Sequence, residues 1–264
     1  MKKTYTLITG ASGGIGEALA WEFARHNHNL ILVARSEDKL NALAEEISLR
    51  CKVDAIALPC DLAEPDAAAK IHDQTCERGL LVDNLINNAG FGDHGAFIDS
   101  DWERQSDMVQ VNIVALMQMT QLYARDMRER HYGHIMNLSS VAAFCAGPYM
   151  SVYYASKSFV LSFSQAVSEE LEGTGVTVTA LCPGPTTTGF ESAANMQGSK
   201  MFTMGKPDTP ESVAAHGYCA MQTGKPVVYH GNFVKFVNAA SRITPRSVTR
   251  RFAAEINGTG KGEK

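Results

Sequence analysis

Short apolar runs alternate along this chain with longer stretches whose apolar positions recur every three to four residues. Thr4–Thr9 (TYTLIT) is a β-rich run, and Gly13–Asn27 places Ile15, Leu19, Trp21 and Phe23 at helical spacing. Asn29–Ala34 (NLILVA) is apolar almost throughout, the pattern of a strand covered on both faces of a parallel sheet. Ser36–Arg50 then reads as an amphipathic helix opened by a Ser36 N-cap, Val53–Leu58 as a third strand, and Pro65–Gly79 as a helix. Asp83–Ile86 is a fourth strand running into Asn87-Asn88-Ala89-Gly90, and a long helix is predicted over Ser100–Arg130. His134–Leu138 and Gly175–Cys182 are further strands, with a helix from about Tyr153 to Glu172 between them. Thr209–Gln222, with Pro210 at its start, is a helix, and Pro226–Tyr229 a last short strand. This alternation predicts an α/β fold in which residues 1–264 form a single domain, a doubly wound parallel sheet of about seven strands flanked by helices.

Two stretches break the rhythm. Gly189–Pro207 is rich in Gly, Ser and Met (Met196, Met201, Met204) and reads as an irregular or partly helical insert, either a lid over the site or a surface excursion. The tail from Asn232 to Lys264 combines Phe233, Phe236, Val237 and Ile243 with Lys235, Arg242, Arg246, Arg250 and Arg251. Covering the sheet or an oligomer face suits this tail better than lying on a membrane.

Composition narrows the class only a little. A chain of 264 residues with 45% hydrophobic and 20% charged residues is an ordinary globular protein, and a net charge of −4 argues against nucleic acid as a partner. The apolar run after the two N-terminal lysines stops at Gly10, so it reads as a strand rather than a signal peptide; no run reaches the ~20 residues of a stable membrane insertion. Six cysteines show neither CxxC pairing nor clustering with histidine, and are expected to be buried thiols of a cytoplasmic protein. No metal site is expected.

Candidate chemistry collects at the carboxyl ends of the strands, where doubly wound sheets bind ligands. Thr9-Gly10-Ala11-Ser12-Gly13-Gly14-Ile15-Gly16 turns from the first strand into the first helix, and such a turn seats a diphosphate on the helix N-terminus. Arg35 follows the second strand where a carboxylate would bind ribose hydroxyls and an arginine a 2′-phosphate, which favours NADP(H) over NAD(H). Asp61, past the third strand, is placed to accept from an adenine amino group. Asn112 is an amide among apolar neighbours, and such a group is either satisfied in the core or stationed at a site. Ser139 and Ser140 end the fifth strand, and Pro183-Gly184-Pro185-Thr186-Thr187-Thr188 the sixth. Tyr153 and Lys157, four apart, share one helix face; a cation there favours the phenolate and makes a general acid/base of the tyrosine.

Taken together, Thr9-Gly10-x-x-x-Gly14-x-Gly16, Asp61, Asn87-Asn88-Ala89-Gly90, Asn112, Ser140, Tyr153-x-x-x-Lys157 and Pro183-Gly184 with Thr188 resemble the classical short-chain dehydrogenases/reductases, whose fold is of the Rossmann type. The resemblance runs to about Gly231. It implies Tyr153 as acid or base, Ser140 as the group polarising the carbonyl, Lys157 as the cation that lowers the tyrosine pKa and holds the nicotinamide ribose, and Asn112 as anchor of a water in a proton relay. It further implies Gly10, Ser12, Gly14, Ile15 and Gly16 along the diphosphate, Arg35 at the 2′-phosphate, Asp61 at the adenine, Asn88 on the adenosine side and Thr188 at the carboxamide, with Ala89, Gly90, Pro183 and Gly184 as further cofactor-binding residues. Gly13 stands where many NADP-preferring members carry a second basic residue, so the NADP(H) preference rests on Arg35. A homodimer or homotetramer is implied.

The expected activity is NADP(H)-dependent reduction of a small-molecule ketone or aldehyde, or oxidation of the alcohol. The expected pocket comprises Phe91, Asp93, His94, Ala142, Phe144, Tyr149 and the 189–207 insert. A non-catalytic NADP(H)-sensing regulator is the first rival, although it has no need of a complete Ser140, Tyr153 and Lys157 set. A sugar-nucleotide epimerase or dehydratase is the second; those relatives are longer, with a different glycine spacing.

Overall fold

The structure is a computed structural model that describes residues 3–194, 196 and 207–258. Seven strands, β1 (Thr4–Thr9), β2 (Asn29–Ala34), β3 (Ala55–Pro59), β4 (Leu81–Asn87), β5 (Gly133–Leu138), β6 (Val176–Cys182) and β7 (Val227–Tyr229), form one sheet. Its order is β3-β2-β1-β4-β5-β6-β7 and every neighbouring pair is parallel. Ten α-helices are described: α1 (Gly14–Arg25), α2 (Glu37–Cys51), α3 (Ala67–Glu77), α4 (Trp102–Val109), α5 (Leu116–Glu129), α6 (Ser151–Glu170), α7 (Phe190–Ala193), α8 (Pro210–Gln222), α9 (Asn232–Ile243) and α10 (Arg246–Asn257).

The near-continuous apolar strands have their reason in burial on both faces. In β2, Leu30 and Leu32 enter one core while Ile31 and Val33 enter the other, because successive strand side chains point to opposite faces. Leu19 and Phe23 of α1, Leu40 and Ile47 of α2 and Met221 of α8 close the first face. Ile71 of α3, with Tyr123 and Met127 of α5, closes the second. Chain order reverses between β1 and β4, since β2 and β3 lie to one side of β1 and β4 returns to the other. A crevice opens at such a reversal, beyond the carboxyl ends of the strands, and here those ends carry Gly10 and Asn88–Gly90.

The helix predicted over Ser100–Arg130 is interrupted. Between α4 and α5 the residues Gln110–Ala115 form a π-helical segment, with a short 3₁₀ turn at Phe97–Asp99 before α4. The wider turn carries the buried Asn112 amide to the backbone of Phe91: Nδ2 donates to the Phe91 carbonyl (3.0 Å) and the Phe91 N–H donates to Oδ1 (3.1 Å). A local pattern of apolar spacing does not register such an inserted residue. Smaller differences lie at element ends: β3 starts at Ala55, β4 at Leu81, and α3 is shorter than Pro65–Gly79 at both ends. Ser36 precedes α2 but makes no capping bond, whereas Asp101 caps α4 and Thr209 caps α8 through the N–H groups of Glu103 (3.0 Å) and Ser212 (3.2 Å).

All six cysteines are free, yet only Cys182 is buried, and Cys76 and Cys219 are exposed; the expectation of six buried thiols is corrected. In the tail, Val234, Ala253 and Asn257 face inward, while Phe236 and Ile243 stay 70% and 87% exposed. Among the described residues no helix is long and apolar enough to cross a membrane. Of the 189–207 insert, α7 and Met196 are described; Met201 and Met204, and with them most of the expected lid, lie outside the described residues.

Candidate active site

The turn after β1 shows why glycine is required there. Gly10 has φ +65°, and a Cβ on it would stand 2.9 Å from both Ala89 Cα and Asn88 Nδ2. A Cβ on Gly16 would overlap the Gly10 carbonyl oxygen. Asn88 laces the two strand ends together, its Nδ2 donating to the carbonyls of Thr9 (2.9 Å) and Gly10 (3.2 Å). The Thr9 hydroxyl in turn accepts from the N–H groups of Asn88 and Ala89 (both 3.0 Å). No side chain caps the N-terminus of α1 at Gly13. Gly13, Gly14 and Ile15 line a cleft of about 410 Å³, so the free first-turn N–H groups and the positive end of the helix dipole make its floor an anion-binding surface. Ser12, Gly90, Pro183, Gly184 and Thr188 line the same cleft.

Arg35 and Asp61 stand at the ends of the adjacent strands β2 and β3, outside the enclosed part of the cleft. Arg35 is exposed and has no hydrogen bond or ion pair among the described residues. The Asp61 carboxylate accepts from the Ala63 N–H (3.0 Å), which closes its own turn.

Ser140, Tyr153 and Lys157 meet at the other end of the cleft. Ser140 follows β5; its hydroxyl accepts from the Ala142 N–H (3.1 Å) and faces the Tyr153 phenol. Lys157, one turn along α6, lies with Nζ 5.8 Å from the Tyr153 ring centroid and donates to the Leu138 carbonyl (2.8 Å). The Ser139 hydroxyl is directed elsewhere, donating to the Lys157 carbonyl (2.9 Å) and fixing α6 against the end of β5. Asn112 and Lys157 converge on Gly90, where a Cβ would stand 2.9 Å from Asn112 Oδ1 and 3.3 Å from Lys157 Nζ. The Asn112 side chain is held by Phe91 and by the Ser156 hydroxyl (3.1 Å).

The charge balance differs from the one expected of a Tyr/Lys pair. Burial pushes the Tyr153 phenol up to about 12, and only the Ser140 hydroxyl beside it pulls the other way. Burial lowers Lys157 to about 8. Lys157 gives its hydrogen bond to Leu138 and lies over the tyrosine ring, so desolvation dominates both groups.

A pH-dependent stability follows. Between pH 8 and 10.5 the unfolded chain protonates Lys157 while the folded chain does not, so folded stability rises with pH across that window; below pH 8 the burial cost is felt in full. Replacing Lys157 by Met removes this dependence. The difference in urea-unfolding free energy between wild type and Lys157→Met should therefore move by about 3 kcal/mol in favour of the wild type from pH 7 to pH 10.5. A difference that stays constant with pH would mean that the ammonium is not desolvated.

The expected substrate residues divide into two groups. Phe91 and Ala142 line the cleft. Asp93, His94, Phe144 and Tyr149 do not, and each has a structural reason. Asp93 accepts from Arg104 Nε (2.7 Å) and Gln105 Nε2 (2.9 Å), and His94 Nε2 pairs with the Asn257 carbonyl (2.7 Å). Phe144 packs on Tyr229 (ring centroids 5.8 Å apart), and Tyr149, at φ +65° and 45% exposed, packs near His94. Instead Met150, Phe190 and Met196 complete the wall; Phe190 lies 5.2 Å from the Tyr153 ring. The sequence signal for them was only the apolar character of the insert and of the turn before α6.

Comparison with known proteins agrees with this geometry. A family model described as short chain dehydrogenase matches residues 4–198. The 17-beta-hydroxysteroid dehydrogenase type 3 of Mus musculus is 37% identical over 186 residues, covering 68% of this chain and 59% of that protein. The very-long-chain 3-oxoacyl-CoA reductase of Homo sapiens is 35% identical over 183 residues, covering 68% and 58%. A short-chain dehydrogenase from Sphingobium yanoikuyae, solved in complex with NADPH, superposes with a TM-score of 0.81 at 30% identity, covering 90% of this chain and 93% of that one. The chain belongs to the short-chain dehydrogenase family. It spans a little under three fifths of the length of these two curated relatives.

Proposed function

We propose that this protein is an NADP(H)-dependent oxidoreductase that reduces a ketone or aldehyde, or oxidises the corresponding alcohol. The observation that carries this reading is the meeting of Ser140, Tyr153 and Lys157 in the same cleft as the uncapped glycine turn. The diphosphate would lie on Gly10, Ser12, Gly14, Ile15 and Gly16, with Asn88 on the adenosine side, Asp61 at the adenine, Thr188 at the carboxamide, and Ala89, Gly90, Pro183 and Gly184 as further cofactor contacts. The uncapped helix end fits a phosphate group and the unpartnered Arg35 a second one.

Bound NADP(H) supplies or accepts the hydride at the carbonyl carbon. Tyr153 gives its phenolic proton to the carbonyl oxygen in reduction and takes one back in oxidation. Ser140 donates to the same oxygen, and the Lys157 ammonium stabilises the phenolate left behind. Asn112 holds the Phe91 backbone in the cleft wall. The names of the two curated relatives, one a steroid dehydrogenase and one a very-long-chain acyl reductase, support a largely apolar substrate.

A panel of ketones, aldehydes and alcohols followed at the nicotinamide absorbance with each cofactor tests the activity, and no turnover with any of them would leave the regulator reading. Arg35→Ala tests the cofactor. Loss of a charge-assisted contact to a phosphate should raise the KM for NADPH about 30-fold while that for NADH changes less than about twofold. Equal losses would remove the case for the 2′-phosphate.

A further inference from the structure

One cysteine does stand beside a histidine. Ala67, Ala68, Ile71 and Thr75 turn one stripe of α3 inward, and the adjoining stripe, with His72 and Cys76 one turn apart, meets α5. There Asp126 Oδ2 lies 2.9 Å from His72 Nε2, and the same ring nitrogen lies 3.7 Å from Cys76 Sγ. One ligand atom from each of the three lies within 4.8 Å of the other two. The core positions the cluster. Thr75 and Tyr123, both buried, join their hydroxyls at 2.9 Å between the two helices, and the His72 ring packs edge-on against Tyr123, 5.1 Å between centroids. Asp126 follows Tyr123 by one turn of α5. The Asp73 carboxylate lies 3.9 Å from His72 Nδ1, a small side-chain shift from the place where a carboxylate takes the second ring N–H of a metal-bound histidine and leaves Nε2 as the ligand. A nitrogen and a thiolate at about 2.0 and 2.3 Å from one tetrahedral ion stand about 3.5 Å apart, close to the spacing of His72 and Cys76. The carboxylate needs to move out by only a few tenths of an ångström, a shift open to the half-buried Asp126 side chain.

We propose that His72 Nε2, Cys76 Sγ and the Asp126 carboxylate bind a divalent transition-metal ion of the zinc type, with water as fourth ligand, and that the ion pins α3 to α5. The Cys76 thiol releases its proton to solvent as it binds, and Asp126 exchanges its hydrogen bond with His72 for the ion. Thiolate and carboxylate together balance the two positive charges. A nitrogen, sulfur and oxygen set suits Zn²⁺, whereas Mg²⁺ and Ca²⁺ take oxygen ligands. Cys76 comes shortly before β4 begins at Leu81, and Asp126 before β5 begins at Gly133, so the site stands at the amino edge of the sheet, away from the cleft at the carboxyl ends. The ion therefore acts on the stability of the α3 and α5 layer, and the proposal is independent of the reductase reading.

The test uses the full-length protein, stripped with EDTA and kept under a non-thiol reductant, with Co²⁺ as the spectroscopic probe. One equivalent of Co²⁺ should bring a thiolate-to-cobalt charge-transfer band and the intense visible bands of a tetrahedral ion, and Zn²⁺ should abolish both. Cys76→Ser should lose the charge-transfer band and weaken Zn²⁺ binding at least about 100-fold, and Asp126→Asn about tenfold. Cys219→Ser, which changes the other exposed thiol, should keep the band. Zn²⁺ at about 100 times its dissociation constant should multiply the folding equilibrium constant of the wild type, read by urea unfolding, about 100-fold, and that of Cys76→Ser by no more than about twofold. Should the variants fail to fold, alkylation of the wild type mapped by mass spectrometry serves instead: the same Zn²⁺ should slow modification of Cys76 about 100-fold and leave that of Cys219 unchanged. Co²⁺ that binds without a thiolate band, a band that survives Cys76→Ser, equal alkylation of Cys76 with and without Zn²⁺, or no binding at micromolar ion overturns the proposal.

Discussion

Tyr153→Phe should lower kcat/KM for ketone reduction by about 10³-fold while the dissociation constant for NADPH stays within a few-fold of the wild type. The Tyr153 phenol holds its dissociable proton firmly at neutral pH, because burial pushes it up to about 12. Removing a positioned general acid typically costs 10²–10⁴ in rate. The substitution deletes one oxygen that faces Ser140, and it leaves the ring against Phe190 and the glycine turn untouched. NADPH fluorescence titration and initial rates read the two effects separately. Retained turnover would sink the role given to Tyr153, and loss of NADPH binding would mean that the change reaches the fold. The pH profile sharpens the point: with Tyr153 protonated far into the alkaline range, reduction should decline above about pH 8, where Lys157 gives up its charge. A profile flat to pH 10 would separate Lys157 from the chemistry.

What was legible in the sequence, and what was not, follows from the range of the interactions. The strands announced themselves because a sheet covered on both faces leaves few polar positions, as in Leu30–Val33. The cradle and the Tyr153/Lys157 pair were legible because turn and helix geometry place such residues within a few positions of one another. Contacts across long chain separations were not. The π-helical segment at Gln110–Ala115 exists to bring Asn112 to Phe91, and the spacing of apolar residues carries no trace of it. Asp93 and His94 looked like pocket residues because they follow Gly90; their partners, Arg104 and Asn257, lie on elements whose approach only the folded chain reveals. Charge followed the same rule: the spacing of Tyr153 and Lys157 was read correctly, but the depth of the cleft decides their proton affinities.

Asn257→Ala should detach the tail from α6 and, on the reductase reading proposed above, remove most of the activity on bulky ketones without weakening NADPH binding. Asn257 is completely buried at the end of α10. Its Oδ1 accepts from the hydroxyl of Tyr154, the neighbour of Tyr153, at 3.1 Å, and its Nδ2 donates to the Pro148 carbonyl at 3.0 Å. Its own backbone carbonyl meets His94 at 2.7 Å. One residue thus ties α10, the turn before α6, the start of α6 and the loop after β4 into a single wall. Alanine keeps the His94 contact but leaves the buried Tyr154 hydroxyl unpaired, at about 1–3 kcal/mol, and the half-buried Pro148 carbonyl without its donor. That is comparable to what holds a terminal helix in place, so α10 should open locally before the sheet unfolds. Hydrogen exchange should show lost protection confined to α9, α10 and the first turn of α6, with the β1 and β4 amides unchanged. Asn257→Asp keeps the acceptor for Tyr154 and loses the donor to Pro148, and it should fall between the two. If Asn257→Ala leaves exchange in α10 and turnover of long ketones unaltered, the tail is held by Val234 and Ala253 packing alone, and the buried amide has no part in shaping the site.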